Sequence, residues 1–76
     1  MTDARPRKRS LTLHGHRTSV SLEEAFWTAF VEMARERELS VNALAAQIDR
    51  ARGVSAGLAS AIRVAVLEHE QARNRA

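Results

Sequence analysis

Cysteine and tyrosine are absent from these 76 residues, and there is one tryptophan, one proline and three glycines. Without cysteine there is no disulfide framework and no thiolate metal site. There is no glycine-rich phosphate loop, and no Ser/His/Asp or paired-carboxylate arrangement with a spacing logic, so the chain is not expected to be an enzyme and no cofactor is expected. No apolar run approaches the roughly 20 residues of a membrane span, and the first residues lack the apolar core of a signal peptide. A cytoplasmic protein with no membrane partner is the expectation. A chain this short buries only about 60% of its unfolded surface, and is commonly completed by disulfides, a metal or another copy. Oligomerisation is the usual remedy left.

The charge that is present is unevenly placed. The net value is only +3, but residues 1–21 hold Arg5, Arg7, Lys8, Arg9 and Arg17 against Asp3 alone. After residue 21, seven arginines face eight acids. A basic excess confined to one end points to a polyanion. A basic tail alone does no more than keep a chain in solution. Beside a polar strand face carrying Arg17, nucleic acid is the better reading.

Residues 1–9 are polar and basic, contain Pro6 and show no periodicity, so they are expected to form a flexible arm ahead of a domain over 10–76. Ser10 to Leu13 alternates briefly, and Gly15 marks a bend or bulge. His14 and His16 have no third ligand near them, which makes a metal site a weak reading; none is expected. The next stretch, 16–22, alternates with a period of two. As a strand it puts Thr18, Val20 and Leu22 on one face and Arg17, Ser19 and Ser21 on the other. A lone strand leaves its backbone groups unpaired. Since everything downstream reads as helix, its expected partner is the same strand of another copy.

The first helix is expected from Leu22 or Glu23, with Ser21 as N-cap and Glu24 completing a capping box. Phe26, Phe30, Met33 and Ala34 form its inward stripe, and Trp27 broadens that face towards the core or a dimer interface. Ser40 is a natural N-cap for a second helix over Val41 to Ala51, with Leu44, Ala45 and Ile48 inward. Its first turn is either a phosphate site or an ordinary capped start. Gly53 is expected to close this helix and residues 54–57 to turn. A third helix follows over about Leu58 to Arg73, with Leu58, Ile62, Ala65 and Val66 inward. Arg63 lies near that apolar face, placed for either a buried salt bridge or a phosphate. His69 either ends that apolar face or lies at the surface, and is not expected to be a ligand.

Strand, helix, turn and helix, pivoting at Leu39-Ser40-Val41-Asn42, resemble the ribbon-helix-helix DNA-binding family, which includes the Arc and methionine repressors. The matching residues are Arg17 to Leu22, Glu23 and Glu24 opening the helix, Phe26, Phe30 and Ala34 inward, and Ser40 to Asn42. The runs from Arg9 to Glu23 and from Leu58 to Glu68, with Phe26 and Trp27, are similar to a bacterial subgroup of small members. The resemblance implies a mostly α fold with one short strand. It implies an intertwined homodimer whose intermolecular antiparallel ribbon sits above a shared helical core, here extended by a third helix. That core would hold Thr18, Val20, Leu22, Phe26, Trp27, Phe30, Leu44 and Ile48.

The resemblance also implies that the ribbon enters the major groove, with Arg17, Ser19 and Ser21 as base readers. Ser40, Val41 and Asn42 would hold phosphate, and Arg7, Lys8 and Arg9 would follow the DNA backbone. Two serines make this a lean reading face. The implied role is a transcriptional repressor or autoregulator, associated with the nucleoid and able to form higher oligomers on DNA. A second reading is an antitoxin-like or adaptor module whose dimer binds a partner protein. The lean ribbon favours it, and the concentration of basic charge on the ribbon side opposes it.

Overall fold

In the computed structural model, residues 3–52 and 57–75 are described. Two strands, β1 (Pro6–Leu13) and β2 (His16–Glu23), precede three helices, α1 (Glu24–Glu36), α2 (Val41–Ala51) and α3 (Leu58–Arg73). The strands form an antiparallel two-stranded ribbon with Pro6 opposite Glu23 and Leu13 opposite His16. A ribbon followed by helices is thus present, and within this chain β2 finds its ladder in β1. Two expectations are corrected: there are two strands where one was expected, and Pro6 to Arg9 belong to the first of them.

The physical reason is the turn. His14 and Gly15 both take positive φ, +52° and +80°, between directly opposed Leu13 and His16. A two-residue loop with both central residues in that region has the twist that closes a hairpin. Pro6 is tolerated because it opens its strand, where no ladder N–H is required.

The ribbon separates two chemistries. Leu11, Leu13, Val20 and Leu22 point into the core and are buried, whereas Lys8, Ser10, Thr12, Arg17, Ser19 and Ser21 are exposed. The inward residues pack on Phe30, Met33 and Ala34 of α1, Leu44 and Ala45 of α2, and Ile62 and Val66 of α3. Of the core residues expected from the sequence, Val20, Leu22, Phe30 and Leu44 are buried, and Phe26, Trp27 and Ile48 are half-buried. Thr18 is exposed. It lies towards the hairpin tip, opposite Leu11, which takes the buried place.

Helix α1 begins at Glu24 with Glu23 as N-cap and no side-chain cap bond. Ser21 does not cap it, because Ser21 is still in the ladder, opposite Lys8. The helix ends in a left-handed turn: Glu38 has φ +56°, and the Leu39 N–H donates to the Ala34 carbonyl at 2.9 Å while the Glu38 N–H donates to that of Arg35 at 3.0 Å. Paired bonds of this kind close orphan carbonyls and redirect the chain. Ser40 then caps α2, its Oγ accepting from the Ala43 N–H at 3.0 Å. The bounds of α2 and α3 are those expected. The expected closure at Gly53 and most of the turn after it lie outside the described residues. Among the described residues no helix is long and apolar enough to cross a membrane.

Candidate nucleic-acid interface

The outward face of the ribbon is built in cross-strand pairs: Lys8 with Ser21, Ser10 with Ser19, and Thr12 with Arg17. The Thr12 N–H donates outward to Asn42 Oδ1 at 3.0 Å, and the Ser21 carbonyl accepts from Arg63 Nη2 at 3.0 Å. Both backbone groups therefore point away from the opposite strand. In an antiparallel ladder this marks the non-hydrogen-bonded pairs, whose Cα atoms approach to about 4.5 Å with side chains close together. Lys8, Ser10, Arg17, Thr18 and Ser19 line an open trough along this face.

Its charge is positive at opposite ends, from Lys8 on β1 and Arg17 on β2, with hydroxyls between. The carboxylate sharing this side, Glu23, lies at the ribbon's end, held by Arg63 with Nε–Oε1 2.9 Å and Nη2–Oε2 3.2 Å. The Arg63 hydrogen bonds and charge hold the Glu23 carboxyl below its ordinary value of 4.5. Arg63 also lies 5.9 Å from the Phe26 ring centroid, so of its two expected roles the salt bridge is the one formed.

The first turn of α2 sits beside this face, since the Thr12–Asn42 bond ties its start to the outer edge of β1. Asn42 thus positions the hairpin through its side chain. With Ser40 Oγ engaged by Ala43, the first-turn N–H groups of Val41 and Asn42 are those a helix start leaves without intrahelical partners. They are the groups that suit an anion.

The three basic residues expected to follow the DNA backbone separate by strand parity. Lys8 points out. Arg9 points in, its side chain only 20% exposed, paired with Glu24 and lying 5.2 Å from the Trp27 ring centroid. Its Nε is buried without a hydrogen-bond partner. These contacts take Arg9 out of the expected phosphate set. Arg7 shares the inward parity but lies beyond the core, 61% exposed and 3.9 Å from Asp3.

The hairpin tip is fastened from below. His14 Nε2 is 3.6 Å from Asp49 Oδ2, and Arg52 Nε donates to Asp49 Oδ1 at 2.7 Å. The Arg52 hydrogen bond is the main cause holding the Asp49 carboxyl below its ordinary value of 3.8, aided by charges on Arg52 and His14. At the other end, His69 Nε2 meets Glu36 Oε2 at 2.7 Å and Arg73 meets Glu36 at 3.3 Å, joining α3 to the end of α1. His69, expected either to end the apolar face of α3 or to lie at the surface, is 14% exposed in its side chain.

A two-stranded ribbon on a helical layer, with one basic hydroxyl-rich face turned outward, defines a small helix-supported ribbon domain. The chain belongs to the ribbon-helix-helix family: the model for the ribbon-helix-helix domain matches residues 6–70, from the start of β1 into the last turns of α3. That family is one of DNA-binding regulators. Among solved structures, the chain is similar to an uncharacterized protein from Bordetella pertussis Tohama I. The two are 31% identical with a TM-score of 0.73, over 96% of this chain and 63% of that one. The chain therefore spans less than two thirds of that protein's length. No curated protein matches it.

Proposed function

We propose that this chain is a sequence-specific binder of double-stranded DNA, a transcriptional repressor or autoregulator that works as a homodimer in the cytoplasm, at the nucleoid. The observation that carries this reading is the ribbon's outward face, where Lys8 and Arg17 flank a row of hydroxyls and Glu23 is neutralised by Arg63. The major groove, about 12 Å wide, admits a two-stranded ribbon. Arg17 reads a base edge, guanine being the partner its fork fits, and Ser19 and Ser21 make weaker contacts. The backbone N–H groups of Val41 and Asn42, with Ser40 ordering that turn, take a flanking phosphate, and Arg7 takes another.

Selection from random duplex DNA, sequenced, together with the solution mass of the purified protein, tests this. A palindromic or directly repeated motif enriched by a dimer is the expected result. Affinity should also fall with salt, with a slope near −0.9 per neutralised phosphate. A dimer that enriches nothing overturns the reading. It would favour the antitoxin-like or adaptor alternative, for which Val64 and Leu67, each 55% exposed on α3, offer an apolar contact surface.

A further inference from the structure

We infer that the groove between α2 and α3 is a contact for a second copy of this chain, made by two α3 helices packed antiparallel about a two-fold axis at Val64. Helix α3 lies beyond the strand, helix, turn and helix that carry the family resemblance, so this contact adds to whatever pairing the ribbon makes. It does not depend on DNA binding.

Val64 and Leu67 are the large apolar residues left exposed among those described, each at 55%. They stand one turn apart on α3, beside a groove of about 350 Å³. Ile48 and Ala51 of α2 and Ala61 and Ala65 of α3 line that groove, three of the four being alanine. A molecule that carries an apolar ridge next to an apolar hollow can offer both to its own copy, which is what a two-fold contact requires.

The spacing along α3 decides how two such helices meet. In an antiparallel pair centred on Val64, residues equally far on either side of it come level. Val64 then meets Val64 of the second copy. Leu67 falls against Ser60 of that copy, and Glu68 passes over its Ala61. Each long side chain faces a small one, so the helix axes can approach to about 8 Å. A parallel pair would instead set Leu67 on Leu67 and Glu68 on Glu68, joining like charges.

Charge favours the same arrangement. Arg52 follows the end of α2 and Ser60 belongs to the first turn of α3, so both lie at one end of the groove. Glu68 lies at the other end, about 12 Å along the helix from Ser60. Reversing one copy on the other brings each Glu68 carboxylate to the opposite Arg52 guanidinium, which keeps its bond to Asp49 in its own chain. The side chains involved are far fewer than the roughly 20–30 a side of a standard interface. Association through α3 should therefore be weak and concentration-dependent.

Sedimentation equilibrium of the full chain without DNA, over a range of concentrations, tests this against Leu67→Glu. Leu67 is exposed, so this variant should keep its fold, as circular dichroism would verify. At high concentration the unaltered protein should reach about twice the mass of the variant, because a two-fold contact doubles whatever unit it joins. The variant should need at least about tenfold more protein for the same step, since a carboxylate would have to enter an apolar contact. Equal masses at every concentration overturn the inference.

Cross-linking provides a second test that leaves Leu67 in place. The chain has no cysteine, so Val64→Cys puts one thiol on the axis and should join two chains on mild oxidation. Ala72→Cys, exposed on the same helix, is the comparison. Antiparallel pairing about Val64 sets the two copies of that position about 24 Å apart, too far for a disulfide. A joined product should form readily at Val64 and not at Ala72. Equal yields at the two positions, or none at Val64, overturn the inference.

Discussion

The two faces of the ribbon share a backbone and differ in what holds them. Inward, Leu11, Leu13, Val20 and Leu22 are at most 7% exposed and meet all three helices. Outward, the six residues from Lys8 to Ser21 are exposed, and their surroundings set few demands on shape. Arginine shows the difference best. Arg9 and Arg17 are the same side chain on the same ribbon, yet one is folded over Trp27 against Glu24 and the other lies in the open trough. Residue type alone assigns neither role; strand parity does.

The largest effect expected from breaking the comparison is on the inward side. Leu22 is fully buried. Leu22→Ala should cost about 2–5 kcal/mol of stability through lost burial and the cavity left behind. For a domain of this size that is a large share of a total of about 5–15 kcal/mol. Urea unfolding followed by circular dichroism measures it. A change below about 1 kcal/mol would mean that the ribbon is not held by this core. Any loss of DNA binding in this variant would follow the loss of fold.

Next comes the arginine pair. Arg17→Ala should leave the urea midpoint within the equivalent of about 0.5 kcal/mol, as an open surface change does. It should cost about 1–3 kcal/mol of discrimination on a selected DNA site. Arg9→Ala should reverse that pattern. It loses a cation–π contact, the packing of its stem and a partly screened ion pair, together about 1 kcal/mol of stability. Its effect on base preference should be nil once the fold is saturated. Equal effects of both variants on base preference would erase the distinction between the faces.

How much of this was legible in the sequence follows the same division. The outward set on β2 could be read because Arg17-Thr18-Ser19-Val20-Ser21-Leu22 alternates in polarity, and parity is all that a strand face requires. Helices α2 and α3 were legible from Ser40 as a cap and from the spacing of Leu44 and Ile48, and of Ile62 and Val66. Strand β1 was not. Arg7, Lys8 and Arg9 are all basic, so the alternation that sends Lys8 out and Arg9 in leaves no trace in polarity, and Pro6 reads as a break. The hairpin loop was hidden because His14, unlike Asn or Gly, does not advertise a positive φ. Ser21 has the composition of a helix cap, but ladder pairing with Lys8 keeps it extended. In each case a non-local contact overrode a local signal.

The loop that aligns the two faces gives a smaller, cleaner test. A side chain added at Gly15 would meet nothing within 4 Å, so steric clash is not in question. Its φ of +80° is what an L-residue resists. Gly15→Ala should therefore destabilise the protein by about 1 kcal/mol through backbone conformation alone. The same change should weaken protection of the ribbon amides before those of the helices, measured by hydrogen exchange. Uniform loss across all elements would show that the hairpin does not open separately.

The smallest expected effect is on pH, at the border between the faces. Glu23 and Asp49 both have lowered carboxyl values, the first chiefly through its hydrogen bonds from Arg63, the second through that from Arg52. A carboxyl depressed in the folded protein stabilises the fold above its ordinary value and loses that contribution as pH falls through the folded value. Starting from the ordinary values of 4.5 and 3.8, stability should begin to fall below about pH 4.5 and continue falling beneath 3.8. The change should be slight, because these pairs are partly open to solvent and screened. Urea midpoints taken from about pH 7 down to about pH 3 would follow it. Glu23→Gln should flatten the upper part of that slope, since it removes the titrating group that Arg63 holds. An unchanged slope in this variant would show that the Arg63 clasp on the end of the ribbon does not couple its protonation to folding.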